Sequence, residues 1–517
     1  MLWNAARSLA ADRYTMDALG MASSVLMERA AVCVAAQLER LALPGVGAIE
    51  VLCGPGNNGG DGFALARILG GRGYAVSATQ CGGRPTSSTV EQIELARAHG
   101  VRVRALHDGL PNDVSPGTVV VDALLGTGSC GAPRGALVAA IAWTHAHRMP
   151  TLAIDLPTGV DPDTGRVAGV VIHAQRTVTF QRSKPGLHIT PGRGHAGAVV
   201  VADIGIVSSD SGYDAELLTG RGVANQVAAL CSGRCATHKH RRGHLGILGG
   251  GRGTPGAAVL AGTAALRCGT GIVTILSDDA EVRSQLLATR PELMVASRSR
   301  VGDPGTFDAL VVGPGLTDAA SHHRLADLYT SDPRPAVWDA SALDHVPFGT
   351  QPSASRCLTP HPGEAARLMR RLTGDPWTPA QVQMERRAVV ERLAEATAAV
   401  VLLKGGGTLI AASGMPLAIC PVGSSHLATA GTGDCLSGAV GTWLTMGMDS
   451  FRAAQAAAYV HALAGESAAR RFPGVVALDV AQQLGPVVAG LSQFRPEAAP
   501  SYAGAWGDLR LPRYVYG

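Results

Sequence analysis

Three short stretches place a carboxylate among glycines, amides or hydroxyls at the end of an apolar run: GPGNNGGDG (54–62), VVVDALLGTG (119–128) and LAIDLPTGVD (152–161). In parallel α/β sheets ligands gather at the carboxyl ends of strands, where a Gly-rich turn lets backbone approach phosphate and a helix start favours negative charge. Glycine alone is weak evidence for such a site. Asn57, Asn58 and Asp61 strengthen it by adding amide oxygens and a titratable group to the same turn. Oxygen donors from Asn58, Asp122 and Thr158, at three strand ends, would suit a hard monovalent or divalent cation. A single Asp at such a place would merely cap a turn; three in one segment favour convergence.

A second group lies further along. ATAGTGD (428–434) runs into the helical pattern CLSGAVGTWL, so its backbone N–H groups and helix dipole form an anion hole. Asp434 is placed to act as a base beside a phosphoryl group there. A lone Asp at a helix start would be a cap. Here, however, Lys404 ends the strand in VVLLKGGGTLIA (400–411), His361 and Glu364 sit at the junction in CLTPHPGEAARL (357–368), and VVGPGLT (311–317) is another glycine-rich exit. Four such exits describe a nucleotide-dependent phosphoryl-transfer site. Only Lys184, Lys239 and Lys404 are lysines among 44 basic residues. A compact ammonium and a planar guanidinium are not interchangeable at a tight site, so these lysines are candidates for positions where Arg does not fit, the alternative for any one of them being chance survival.

The elements that must hold these groups are legible as alternation. Strand-length apolar runs at 48–53, 74–79, 101–106, 118–122, 151–155, 176–180 and 198–204 are separated by helical patterns at 87–100 and 135–147, and a helix is expected over 15–40. A polar, Gly/Ser-rich lapse at 207–235 marks a domain boundary, giving a domain over 1–212, a linker over 213–235, a second domain over 236–495 and a tail over 496–517. The second series has strands at 244–250, 271–276, 308–313, 335–339, 356–359 and 399–404, helices at 255–269 and 451–472, and a hairpin after Lys404. The fold class is α/β in both halves.

The bulk composition narrows the function. With 517 residues, 46% hydrophobic and 16% charged, the chain is globular with room for two cores. A net charge of +4 without a dense basic run argues against nucleic acid. HKHRR (238–242) is the one basic cluster, as consistent with a solvated edge as with an anion site. Cys231 and Cys235 form a CxxxC with no second pair, which argues against zinc. No run is long enough to span a bilayer and the N-terminus lacks a signal-peptide core, so a cytoplasmic protein is expected. A homo-oligomer is compatible with the sequence but not required by it.

GNNGGDG, DALLGTG, DLPTG and TVTFQRSKPG (177–186) together resemble the NAD(P)H-hydrate epimerase domain, over roughly residues 10–206. The resemblance implies a Rossmann-like three-layer α/β/α domain whose two loops, Asn57, Asn58, Gly59, Gly60 and Asp61 in one and Gly126, Thr127 and Gly128 in the other, hold a hydrated nicotinamide dinucleotide, with Asp155 beside them. It implies a potassium ion on Asn58, Asp122 and Thr158; Thr158 keeps the hydroxyl of the family's usual Ser. Asp61 and Asp122 are both candidates for proton transfer, and Lys184 for neutralising a substrate phosphate.

ILGGGRGTPGAA, RPELMV, VVGPGL, LTPHPGEAARL, LLKGGGT and ATAGTGD, in that order over roughly 236–492, resemble the ADP-dependent NAD(P)H-hydrate dehydratase domain, a ribokinase-like fold. The resemblance implies that Ala257, Gly315 and His361 contact the hydrate. It also implies that Lys404, Gly405, Gly406, Gly407, Thr408 and Gly433 hold the adenine nucleotide and that Asp434 acts at the transfer point. ADP is the expected co-substrate, with a magnesium ion accompanying its phosphates. The alternatives are a ribokinase-type kinase joined to a dinucleotide-sensing domain, and a binding protein that has kept both folds.

Overall fold

The computed structural model describes residues 1–41, 47–111, 114–231, 239–303, 305–317 and 324–493. It divides into two units, the first spanning Met1–Ala215 and the second starting at Glu216.

The first unit is built on β1 (Ile49–Cys53), β2 (Val76–Gln80), β3 (Arg102–Ala105), β4 (Val119–Ala123), β5 (Thr151–Ile154), β6 (Arg176–Phe180) and β7 (Ala198–Ala202). They lie in the order β3-β2-β1-β4-β5-β6-β7, and every pairing is parallel. Successive side chains point to opposite faces. Val51 and Val121 pack with Phe63, Leu65 and Ile93, while Leu52 and Val120 pack with Ala140 and Ile141. Helices thus cover both faces, which is why β1, β4 and β5 are apolar at nearly every position and buried throughout. The strand order reverses between β1 and β4. That switch point opens a crevice at their carboxyl ends, where Gly54 and Asp122 stand.

The second unit carries a ten-stranded sheet. Its strands are β8 (Ala215–Leu217), β9 (His244–Leu248), β10 (Ile272–Leu276), β11 (Met294–Ala296), β12 (Ala309–Val312), β13 (Ala336–Trp338), β14 (Arg356–Leu358), β15 (Val400–Leu403), β16 (Thr408–Ala411) and β17 (Leu417–Cys420). The order is β11-β10-β9-β12-β13-β14-β15-β16-β17-β8, with its switch point between β9 and β12. The strands from β11 to β15 run parallel. β15, β16 and β17 form the expected hairpin and its antiparallel extension. Leu245, Ile247 and Val311 on one sheet face pack against the helices Pro255–Cys268 and Thr432–Thr445 through Ala258, Ala261 and Val440. Among the described residues no helix is long and apolar enough to cross a membrane.

Several expectations are corrected. The helix expected over 15–40 is two: Ala5–Arg13 continues as a π turn to Ala18, and a second helix spans Ser23–Leu41. The break falls at Gly20, whose φ of 72° lies outside the helical region. The polar stretch 207–235 contains β8 and a helix, Gly220–Cys231, in which Val223 and Val227 are buried. The helix after 451 is followed by another, Ala477–Ser492, anchored by buried Val480, Ala481 and Leu484. In the basic cluster, Lys239–Arg242 form an exposed 3-10 turn in which Arg242 donates to the Gly269 carbonyl. His238, Cys235 and the tail over 496–517 lie outside the described residues.

Candidate active sites

The Gly-rich segment after β1 is not a loop. The helix Asn57–Gly71 starts within it, capped by Gly56, so Asn57 to Asp61 form its first turn and a half. A Cβ on Gly59 would lie 1.9 Å from the Gly54 carbonyl oxygen, and one on Gly62 2.5 Å from the Ala123 Cβ. The glycines therefore let the helix rest directly on the ends of β1 and β4, which brings Asn58 and Asp61 to the crevice.

A cavity of about 490 Å³ opens there, lined by Asn57, Asn58, Asp61, Gly126, Thr127, Gly128, Asp155 and Lys184, all expected from the sequence. Gly59 and Gly60 are buried within the helix. Asp155 sits just past β5 with φ 66°, a strained conformation for a residue with a side chain. It is held by its contacts: Oδ1 accepts from Lys184 Nζ at 2.8 Å and Thr179 Oγ1 at 3.0 Å, and Oδ2 from the Thr127 N–H at 2.8 Å. Burial alone would raise its pKa, but Lys184 and these hydrogen bonds hold it below the usual carboxylate range. Lys184, 3% exposed, also donates to Thr179 at 2.9 Å, so its ammonium is committed within the protein rather than free for a phosphate.

Asp122 is fully buried and accepts hydrogen bonds on both oxygens. It accepts from the Thr158 N–H and the Thr158 hydroxyl, both at 2.8 Å, and from the Leu124 N–H at 3.1 Å. Burial pushes its pKa up to about 6 despite those bonds. Asp61 is pushed well above the carboxylate range, by burial first and then by Asp155 and Asp12. Asp12, from the helix Ala5–Arg13, also lines the cavity. Its burial outweighs the pull of Lys184 and raises it to about 6. Sequence reasoning passed over Asp12, because nothing in its own helix distinguishes it from a solvated acid.

The potassium assignment can be tested on these residues. Asp122 has a buried carboxylate with only neutral hydrogen-bond donors, a situation that a cation relieves. The buried Asn58 Nδ2 has no hydrogen-bond partner, and the amide abuts Gly126. Amide, hydroxyl and carboxylate oxygens are the donor set of a hard cation, so the residues fit one.

In the second unit the strand ends converge around Lys404. Its Nζ donates to Asp339 Oδ1 at 2.9 Å and lies 3.7 Å from Glu364 Oε2. A Cβ on Gly433 would stand 3.2 Å from the same nitrogen. Burial opposes the charged form of Lys404, yet Asp339 and Glu364 together raise its pKa. Asp339 Oδ2 accepts from Ser437 Oγ at 2.6 Å. Asp434 begins the helix Thr432–Thr445, entered through Gly431 at φ 89°. Burial, then Asp339, raise the Asp434 pKa to about 7, with Lys404 opposing and Glu364 adding to the rise.

The remaining expected residues take their places around this cluster. His361 caps the helix Pro362–Thr373, its Nδ1 accepting from the Gly363 N–H at 3.0 Å, while Glu364 accepts from the His361 N–H at 2.8 Å. Ala257 faces Gly315: a Cβ on Gly315 would meet the Ala257 Cβ at 3.1 Å. The turn Lys404–Thr408 is pinned from beneath by buried Arg386, which donates to the carbonyls of Leu403, Lys404 and Gly407. Asp339, Ser437 and Arg386 are additions to the expected set. Asp339 stands at the carboxyl end of its strand, just past β13, as Asp122 stands near the end of β4, and the same rule would have found it; Arg386 carries no local signal.

Comparison with known proteins follows the same division. The model of the NAD(P)H-hydrate dehydratase family matches residues 245–484, and that of the YjeF-related protein N-terminus matches residues 23–186. A bifunctional NAD(P)H-hydrate repair enzyme of Escherichia coli (strain K12) is 34% identical over 497 residues, covering 94% of each chain. The chain belongs to the bifunctional NAD(P)H-hydrate repair enzyme family. The repair enzyme of Moorella thermoacetica is also 34% identical, over 89% of this chain and 91% of its own. Among solved structures, the ADP/ATP-dependent NAD(P)H-hydrate dehydratase of Bacillus subtilis, co-crystallised with ATP/Mg2+, is 28% identical over 54% of this chain and all of its own, with a TM-score of 0.48. In this repair-enzyme chain the two matched segments fall one in each structural unit; the first contains Asp61, Asp122 and Asp155 and the second Asp339, Glu364 and Asp434.

Proposed function

We propose that the chain repairs hydrated NAD(P)H in two steps, interconverting the R and S hydrates in the first unit and dehydrating the S form in the second at the expense of ADP. The observation that carries this reading is Asp434, a base poised near neutrality at a helix N-terminus and beside Lys404.

Hydration puts a hydroxyl on the carbon next to the ring nitrogen, and hydroxide is a poor leaving group. Asp434 takes the hydroxyl proton as that oxygen attacks the terminal phosphate of ADP, and AMP departs. The amides of Gly431 to Gly433 and the Lys404 ammonium stabilise charge on the transferring group. Phosphate then leaves the ring carbon with its bonding pair, the neighbouring ring carbon gives up a proton to solvent as the double bond forms, and the reduced nicotinamide is restored. A base with a pKa near the working pH suits such a step. Ala257, Gly315 and His361 border the hydrate, and the turn Lys404–Thr408 with Gly433 borders the nucleotide. A magnesium ion would accompany the nucleotide phosphates and supply positive charge to them.

In the first unit Asn57, Asn58, Thr127 and Gly128 bind the dinucleotide, and Asp61 transfers a proton at the hydroxyl-bearing centre. Asp61 is favoured over Asp122 because Asp122 spends its oxygens on Thr158 and Leu124. Asn58, Asp122 and Thr158 would hold potassium, which would supply a fixed positive charge to the buried Asp122 carboxylate. Incubating the protein with mixed hydrates and ADP tests the whole reading: NADH absorbance returns and AMP and phosphate appear in equal amounts. Absorbance that does not return with ADP or ATP sinks it.

A further inference from the structure

The first site holds four carboxylates, and their hydrogen bonding divides them in two. Asp155 and Asp122 are consumed by Lys184, Thr127, Thr179, Thr158 and Leu124. Asp12 and Asp61 both line the cavity, and neither accepts a hydrogen bond from any described residue. We propose that Asp12 and Asp61 form the acid/base pair of the epimerisation, Asp12 as the base and Asp61 as the acid. This rests on the reading of the first unit as the epimerase and adds to it a catalytic residue from the N-terminal helix.

The charges around each group set the roles. Burial raises the Asp12 carboxyl most, to about 6; the Lys184 ammonium favours its carboxylate and Asp155 opposes. Asp61 faces Asp155 and Asp12, both of which favour its protonated form. Asp12 therefore has an ammonium among its neighbours while Asp61 has only carboxylates, an asymmetry that suits one member as base and the other as acid in a two-proton reaction. The hydrate is a carbinolamine, with oxygen and ring nitrogen on one carbon. Asp12 takes the hydroxyl proton, the oxygen pair closes to a carbonyl, and the carbon–nitrogen bond breaks with its pair going to nitrogen. Nitrogen takes the proton of Asp61. Rotation about the adjacent carbon–carbon bond presents the other carbonyl face, and reclosure runs the same transfers backwards. Atoms and charges balance with no further reagent, and each carboxyl regains its starting state.

The test follows R-to-S interconversion by NMR with the full chain and no nucleotide, in the wild type and in Asp12→Asn and Asp12→Ala. The expected result is a fall in kcat of roughly 100-fold or more, with KM changed by less than about threefold, as for loss of a general base. Added formate restores turnover to Asp12→Ala, and the acidic limb near pH 6 disappears in Asp12→Asn. An Asp12→Asn rate within about threefold of the wild type, or an Asp12→Ala protein that formate does not restore, overturns the assignment of Asp12 while leaving the epimerase reading intact. A wild-type protein that does not interconvert the epimers removes that reading and the acid/base pair together.

Discussion

Lys404 donates to Asp339 across 2.9 Å, and among the described residues Asp434 has no hydrogen-bonded cation. Lys404 directly follows β15 and Asp339 directly follows β13, so two strand exits carry the charged pair and a helix start carries the base. The pairing keeps Lys404 charged in a buried setting while the negative charge of Asp339 keeps Asp434 basic enough to accept a proton.

Asp434→Asn should lower ADP-dependent dehydration by roughly 100- to 10,000-fold, the range for a general base. Interconversion of the hydrates should persist. Separate assays of the two activities check this, and a parallel loss of both would merge the two sites into one.

Asp339→Asn removes the like charge that raises Asp434 and frees Lys404 to lower it further. Both effects lower the Asp434 pKa. The acidic limb of kcat for dehydration, expected near pH 7 in the wild type, should therefore move to lower pH. A limb that stays in place or moves up would show that Asp434 is not the titrating base.

Lys404→Arg keeps the charge but must place a planar fork where Nζ is closely approached by Gly433 and held by Asp339. The variant should raise the KM for ADP by roughly tenfold or more, the equivalent of about 1.4 kcal/mol. An Arg variant with wild-type KM would attribute the rarity of lysine to chance at this position.

Replacing potassium by tetramethylammonium should slow interconversion and lower the melting temperature, because Asp122 then loses its counter-charge. Asp122→Asn should abolish the potassium dependence of melting. Equal melting in both salts for the wild type would remove potassium from the site.

Gly59→Ala sets a methyl group 1.9 Å from a carbonyl oxygen of rigid backbone. The clash should destabilise the first unit by about 1–3 kcal/mol or more and suppress interconversion. A melt unchanged from the wild type would mean that the helix start is looser than this packing requires.

Much of this protein was settled by its linear order of residues. The runs at 48–53, 118–122 and 151–155 became β1, β4 and β5 because buried parallel strands must be apolar on both faces, and that requirement shows without a partner in view. The functional motifs follow from the same rule: a Gly, Asp, Lys or His at a strand exit is at the ligand edge of a parallel sheet, whatever the sheet's order. Tertiary structure decided what each exit residue is free to do. Asp61 and Asp122 look alike in sequence, yet Asp122 accepts two hydrogen bonds from Thr158, 36 positions away, and Asp61 accepts none from any described residue. Asp12 gained its role only when the N-terminal helix brought it to the cavity of Lys184. The helices Gly220–Cys231 and Ala477–Ser492 likewise depend on distant surfaces to bury Val223, Val227 and Leu484. Proton affinity and hydrogen-bond saturation are properties of neighbours in space, and those neighbours exist only after the chain has folded.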